Sequence, residues 1–180
     1  MTPIVIFAGA PAVGKSSTSR ALAAQFPKSI HISVDDIRHM VVSGLVLPSL
    51  DWSAELVAQF HLARQSVVQM ALIYRQAGYA VMIDDIWDEQ HSADYQTLME
   101  LPELAKVLLY PSQTEAHRRN EQRSGDSPAR AYIDEGISAV YGQLRAVVSR
   151  LQAENWYVLD TSALSIEQSV TVLKARLQDT

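Results

Sequence analysis

No cysteine occurs in the 180-residue chain. Disulfides, thiolate metal sites and cysteine nucleophiles are therefore excluded. Basic charge is in deficit too: 15 Lys and Arg against 20 Asp and Glu leave a net charge of −5. Sequence-independent nucleic-acid binding relies on clustered cations and is not expected. Long hydrophobic runs are missing, since none approaches the roughly 20 residues of a membrane helix. Met1-Thr2-Pro3 leads directly into an apolar segment, without the basic region or small-residue cleavage site of a signal peptide. The expectation is a soluble, cytoplasmic protein with no nucleic-acid or membrane partner. The five histidines lack metal-ligand spacing. His31 reads as a structural strand residue, and His39, His61, His91 and His117 read as surface residues.

What is present is an ordinary globular composition, 48% hydrophobic and 19% charged. At this length about 70% of the unfolded chain's surface is buried on folding, so residues 1–180 are read as a single domain. Apolar runs alternate with helical patterns. Strands are expected at Ile4 to Ala8, Ser29 to Val34, Tyr79 to Ile83, Leu104 to Tyr110 and Trp156 to Leu159. Helices are expected at Lys15 to Phe26, Asp36 to Val42, Ser53 to Gln76, Ser92 to Met99, Thr114 to Arg123 and Glu135 to Leu151, with a last one from Ile166. This alternation predicts an α/β fold with a mainly parallel sheet. Ligands of such sheets bind beyond the carboxyl ends of the strands.

The first strand end carries the most specific pattern in the chain. Gly9-Ala10-Pro11-Ala12-Val13-Gly14-Lys15-Ser16 fits G-x-x-x-x-G-K-[ST] at every fixed position, between a buried strand and a helix. Glycines let successive N–H groups turn inward around an anion, and the helix adds its positive dipole end. The segment is therefore expected to cradle the phosphates of ATP or GTP. Lys15 would reach the β- and γ-phosphates, Ser16 would ligate Mg²⁺, and Ser17 would add a hydroxyl.

Carboxylates follow the next two strand ends. Asp35 is placed to orient an acceptor hydroxyl and take its proton, while Asp36 reads as a helix cap. Asp84 and Asp85 end an apolar strand, and one of them is expected beside Mg²⁺, with Asp84 the first choice. Arg118, Arg119, Arg123 and Arg130 surround the loop Ser124 to Pro128. Arginines on such a segment close over phosphates and offset charge that builds during transfer; stacking on a base is the other use of one of them. Trp52 and Trp87 stand near the cleft-side segments, where large aromatics either line a pocket or fill a core. The stretch from Met40 to Trp52 is apolar (Val41, Val42, Leu45, Val46, Leu47, Leu50), as if to cover an acceptor or a second subunit.

These residues resemble the small P-loop kinases of the nucleoside-monophosphate-kinase-like group, and within it the chloramphenicol phosphotransferase-like proteins. The likeness rests on Gly9 to Ser16, Val34-Asp35, Ile83-Asp84-Asp85, Arg123-Ser124-Gly125-Asp126 and Leu159-Asp160-Thr161. It implies a three-layer α/β/α fold, a five-stranded parallel sheet in the order 2-3-1-4-5, and a lid over residues 118–135. It also implies an acceptor-covering insertion over residues 40–60, a catalytic carboxylate at Asp35, lid arginines among Arg119, Arg123 and Arg130, and a base-side segment around Thr161. Nucleoside monophosphate kinases carry a Gly-x-Pro-Arg-like turn after strand three. Asp84-Asp85-Ile86-Trp87-Asp88 has none, which points away from a nucleotide acceptor. The implied activity is ATP- and Mg²⁺-dependent transfer of a phosphoryl group to a small-molecule hydroxyl, with Lys15, Asp35, Arg119 and Arg123 as catalytic residues. Two alternatives stand beside it: a nucleotide or nucleotide-sugar kinase like the zeta toxins, and a nucleotide-binding switch with no acceptor.

Overall fold

The computed structural model describes residues 2–48, 52–88 and 93–178. Five strands, β1 (Ile4–Ala8), β2 (Ser29–Ser33), β3 (Ala80–Asp84), β4 (Leu104–Leu109) and β5 (Trp156–Leu159), form one sheet in the order β2-β3-β1-β4-β5. Every pairing is parallel. The helices are α1 (Lys15–Ala23), α2 (Val34–His39), α3 (Ala54–Gln76), α4 (Gln96–Met99), α5 (Gln113–Ser124), α6 (Ala129–Ala153) and α7 (Ile166–Gln178). The result is the expected three-layer α/β/α fold with the expected strand order. No helix among the described residues is long and apolar enough to cross a membrane.

Alternation along the central strand builds the two faces. Ile4 and Ile6 of β1 cluster with Val81 and Ile83 of β3 and with Leu56, Phe60, Ala63, Val67 and Ala71 of α3. Val5 and Phe7 point the other way and cluster with Met82, Leu22 of α1, Leu144 of α6 and Leu173 of α7. All five β1 residues are buried, as expected of a strand covered on both faces.

Element boundaries differ where polar chemistry overrides the apolar period. α2 begins at Val34 because Ser33 is its N-cap, its hydroxyl accepting from the Asp36 N–H at 3.3 Å. Asp36 is thus not the cap, and Asp35 lies in the first turn of α2. α6 begins at Ala129 rather than Glu135. Its first turns face a cleft, so they lack the core-facing spacing that marks the rest. Asn120 ties that start to α5 by donating to Arg130 O at 3.1 Å and to Asp134 at 2.9 Å. The helix expected from Ser92 begins within the described residues as a tight turn at Ala93 and continues as α4; Ser92 and His91 lie outside them.

α3 is fastened to the sheet end by a buried ion pair. Arg64, 1% exposed, donates from Nε to Asp85 Oδ2 at 2.7 Å. Tyr95 OH donates to the same oxygen at 2.8 Å, and the Ile86 N–H donates to Oδ1 at 2.8 Å. Burial opposes the charge on Arg64, but Asp85, Tyr95 and Asp88 together outweigh it and hold the guanidinium proton more firmly than usual. Asp85→Ala is expected to cost about 3–5 kcal/mol, because it removes the nearest counter-charge of a buried guanidinium and leaves it only the more distant Asp94 and Asp88, at 3.6 and 4.0 Å. Arg64→Met combined with Asp85→Leu is expected to recover most of that loss. Urea unfolding measures both, and an Asp85→Ala loss under about 1 kcal/mol, the range of exposed pairs, contradicts it.

Candidate nucleotide and phosphoryl-transfer site

The loop after β1 turns on two residues. Gly9 has φ +150°, and a Cβ there would stand 2.7 Å from the Leu109 carbonyl oxygen. Gly14, at φ +96°, caps α1 without a side-chain hydrogen bond, and no acidic residue occupies the first turn. The helix therefore presents unshared N–H groups and positive dipole to the loop. Pro11 to Ser17 line a cleft of about 1400 Å³. Gly9 and Ala10 stand behind the loop, where their carbonyls accept from Lys15 Nζ at 3.1 and 2.8 Å.

Lys15 lies within reach of several charges. Burial lowers its pKa, against the raising influence of Asp84, Asp35 and Asp85. Ser16 donates its hydroxyl proton to Asp84 Oδ2 at 2.8 Å. That leaves the Ser16 lone pairs on the open side of the loop, a hard oxygen donor backed by a buried carboxylate, which fits Mg²⁺ brought in with phosphates. The two carboxylates at the end of β3 diverge. Asp84 lines the cleft. Asp85, the other candidate for the metal side, faces away, its oxygens held by Arg64, Tyr95 and the Ile86 N–H. Successive strand residues point to opposite faces, so only one of the pair can serve the cleft.

Across the cleft stands Asp35, on the open side of α2 with its side chain 63% exposed. Surrounding protein raises its pKa by desolvation, and Lys15 pulls it back only in part. Arg38 lies 3.6 Å from it. This arginine, 2% exposed, rests over the Phe60 ring at 4.0 Å and donates to the Val46 carbonyl at 2.7 Å. Gln59 completes the anchoring of the apolar segment, accepting from Val46 N–H at 3.0 Å and donating to Gly44 O at 2.8 Å. Leu47, Pro48 and Trp52 then wall the cleft; Leu50 lies outside the described residues. Trp52 packs on Phe60 with centroids 5.2 Å apart. Trp87 borders the cleft as well but is almost wholly buried, edge-on against Trp156 at 5.6 Å.

The arginines separate by partner. Arg119 donates to Glu115 at 2.8 Å, to the Val13 carbonyl at 2.9 Å, and to Thr161 Oγ1 and O at 3.2 and 2.6 Å. It thus binds the loop after β1 to the loop after β5. Arg118 pairs with Glu115, whose carboxyl hydrogen bonds from Arg118, then Arg119, bring down to about 2. Arg130 pairs with Glu121. Arg123 lines the cleft, acts electrostatically on Lys15 and makes no hydrogen bond or ion pair among the described residues.

Some residues of the cleft carry no sequence signal of their own. Arg38 reads as one more charged helix residue until α2 is packed on α3. His39, taken as a surface residue, lines the cleft with Nδ1 2.6 Å from the Asp35 carbonyl oxygen. Tyr132 lines it from α6, near enough to Asp35 to be affected by its charge. Of the other histidines, His61 meets Asp94 at 2.6 Å and His117 meets Asp134 at 2.8 Å.

Among protein families, an AAA domain model matches residues 4–138. The chain belongs to this AAA domain family. The matched span runs from β1 through the start of α6 and contains Lys15, Asp35, Asp84 and Arg123. No curated protein matches the chain. Solved structures share its fold. A shikimate kinase from Bacteroides thetaiotaomicron is 17% identical, with 98% of each chain covered and a TM-score of 0.67. A shikimate kinase from Acinetobacter baumannii, in complex with shikimate, is 16% identical over all of this chain and 96% of that one, with a TM-score of 0.66. A gluconokinase from Sinorhizobium meliloti is 19% identical over 99% of this chain and 92% of that one, with a TM-score of 0.55. At these identities the likeness is one of fold.

The raised pKa of Asp35 has a consequence for stability. Between the unfolded value of 3.8 and the higher native one, the native state binds more protons than the unfolded chain. Stability contributed by this group therefore falls as pH rises through that window, and at pH 7 the ionised carboxylate is a net liability. Asp35→Asn is expected to raise the melting temperature at pH 7. The gain should fade as pH is lowered toward 3.8; thermal melts across that range check it, and a lower melting temperature at pH 7 contradicts it.

Proposed function

We propose that the protein is an ATP- and Mg²⁺-dependent phosphotransferase whose acceptor is a hydroxyl of a small, non-nucleotide molecule. One observation carries this reading. A P-loop lysine and a carboxylate on a different element, Lys15 and Asp35, face one cleft closely enough to act on each other electrostatically. A phosphate cradle alone serves a switch equally well; a carboxylate opposite it serves an acceptor.

The roles follow from position. The loop N–H groups, the α1 dipole and Lys15 hold the triphosphate. Ser16, with Asp84 behind it, would hold Mg²⁺, which offsets phosphate charge in such transfers. Asp35 takes the proton of the acceptor hydroxyl as its oxygen bonds to the γ-phosphorus. The bond from that phosphorus to the β–γ bridging oxygen breaks, and ADP leaves. A carboxylate with a raised pKa suits this work better than an ordinary one. Arg123, unpaired among the described residues, offers its guanidinium to the moving phosphoryl group, on a lid spanning residues 118–135. Arg119 acts chiefly by fixing the P-loop against Thr161, on the base side.

The acceptor side is the insertion of residues 40–60, with Leu47, Pro48, Trp52 and Phe60 lining the cleft beside Asp35. Such walls favour an acceptor with apolar surface, as does the lack of a Gly-x-Pro-Arg-like turn after β3. The names borne by structures of like fold, shikimate kinase and gluconokinase, agree with a small alcohol. The resemblance to chloramphenicol phosphotransferase-like proteins adds chloramphenicol-like alcohols to the panel.

A radiolabelled γ-phosphate transfer assay against hydroxy acids, sugars, chloramphenicol-like alcohols and nucleotide sugars tests the reading. Asp35→Asn is expected to lower kcat by about 10²–10⁴-fold, the usual worth of a positioned general base, with the KM for ATP little changed. Lys15→Ala is expected to abolish nucleotide binding. Turnover indifferent to Asp35→Asn would favour the switch; transfer to nucleotide sugars alone would overturn the acceptor class.

A further inference from the structure

His31 reads from sequence as a structural residue of β2, yet the fold connects it to the nucleotide site. β2 and β3 run parallel with His31 opposite Met82, which sets the imidazole diagonally beside Asp84 on the same face of the sheet. Both side chains are nearly enclosed, at 11% and 6% exposure. His31 Nε2 hydrogen-bonds to Asp84 Oδ1. On the other side of the ring, Arg20 Nε donates to His31 Nδ1 at 3.1 Å. Arg20 itself lies 3.6 Å from Asp36.

The chemistry of these groups orders the chain of bonds. An arginine Nε–H can only donate, so Nδ1 must accept. The ring proton then sits on Nε2 and is donated to Asp84 Oδ1. The remaining oxygen, Oδ2, accepts from Ser16 at 2.8 Å. Each bond thus has one direction, from Arg20 through His31 into one oxygen of Asp84, with the other oxygen left for Ser16. Without the imidazole, Asp84 Oδ1 has no hydrogen-bond donor among the described residues, and the carboxylate can rotate away from the Ser16 hydroxyl.

We infer that His31 is a positioning residue of the nucleotide site, holding the Asp84 carboxylate so that its second oxygen stays on Ser16. The inference rests on reading Ser16 and Asp84 as the metal side of that site. Supporting residues behind metal ligands orient them in this manner, and their loss commonly lowers metal affinity about 10–100-fold. Loop N–H groups and Lys15, which hold phosphate without metal, do not depend on the imidazole.

Calorimetric titration of ATP into the whole protein, with Mg²⁺ in excess and separately with EDTA, distinguishes the two. His31→Leu is expected to weaken binding about 10-fold in Mg²⁺, the lower end of that range, and to leave binding in EDTA unchanged. His31→Gln is expected to restore the Mg²⁺ value, because its amide can both accept from Arg20 and donate to Asp84. Equal loss in both conditions, no loss in either, or a His31→Gln variant as weak as His31→Leu overturns the inference. Because binding rather than turnover is read, the Mg²⁺-dependent loss supports the role of His31 even in a protein that phosphorylates no acceptor, the result that sinks the proposed function.

Discussion

The close passage of Gly9 beneath the end of β4 is the constraint on which the site depends. The Leu109 carbonyl oxygen occupies the space where any other residue would carry a Cβ. Only with that atom missing can the chain leave the central strand and wrap back over its own end before α1 begins. Everything placed afterwards inherits this turn. Lys15 rests on the carbonyls of Gly9 and Ala10, α1 aims its free N–H groups at the loop, and Ser16 is delivered to the end of β3. Arg119 then braces the far side of the loop through Val13.

Charge is distributed around this turn by sheet geometry. Adjacent carboxylates at the end of β3 fall on opposite faces, and the fold uses the two differently. Asp84 serves the cleft through Ser16, while Asp85 fastens α3 through Arg64 and Tyr95. The apolar segment proposed to cover the acceptor is built in a similar way. A buried arginine, Arg38, and a buried glutamine, Gln59, pin an otherwise apolar segment through its backbone. The segment needs these anchors because several of its side chains remain exposed: Val42 is fully so, and Met40 is 70% exposed. Its shape thus comes from polar tethers more than from hydrophobic burial.

Much of the architecture was legible from residue order. Ile4 to Ala8 and Trp156 to Leu159 announce themselves as strands because short apolar runs bounded by turn residues have few other uses. α3 is marked by its spacing of Leu56, Phe60, Ala63 and Val67, and by Ser53, whose hydroxyl caps it. The start of α6 was not legible, since the residues from Ala129 to Asp134 face a cleft and a neighbouring helix rather than the core. Nor was the first turn of α2, where a serine cap three residues before Asp36 competes with that aspartate for the same duty.

The sequence by itself determined that a phosphate-binding turn follows the first strand, because glycine, lysine and serine at those spacings with a strand before and a helix after have one strong physical use. It also determined the layered α/β class, through the alternation of two hydrophobic periods. Only the tertiary structure decided which carboxylate faces the cleft, which arginine is free, and that His31 stands behind Asp84. Those outcomes depend on which face of a strand a side chain leaves from and which element packs against it, and neither is carried by the identity of a residue or of its neighbours along the chain.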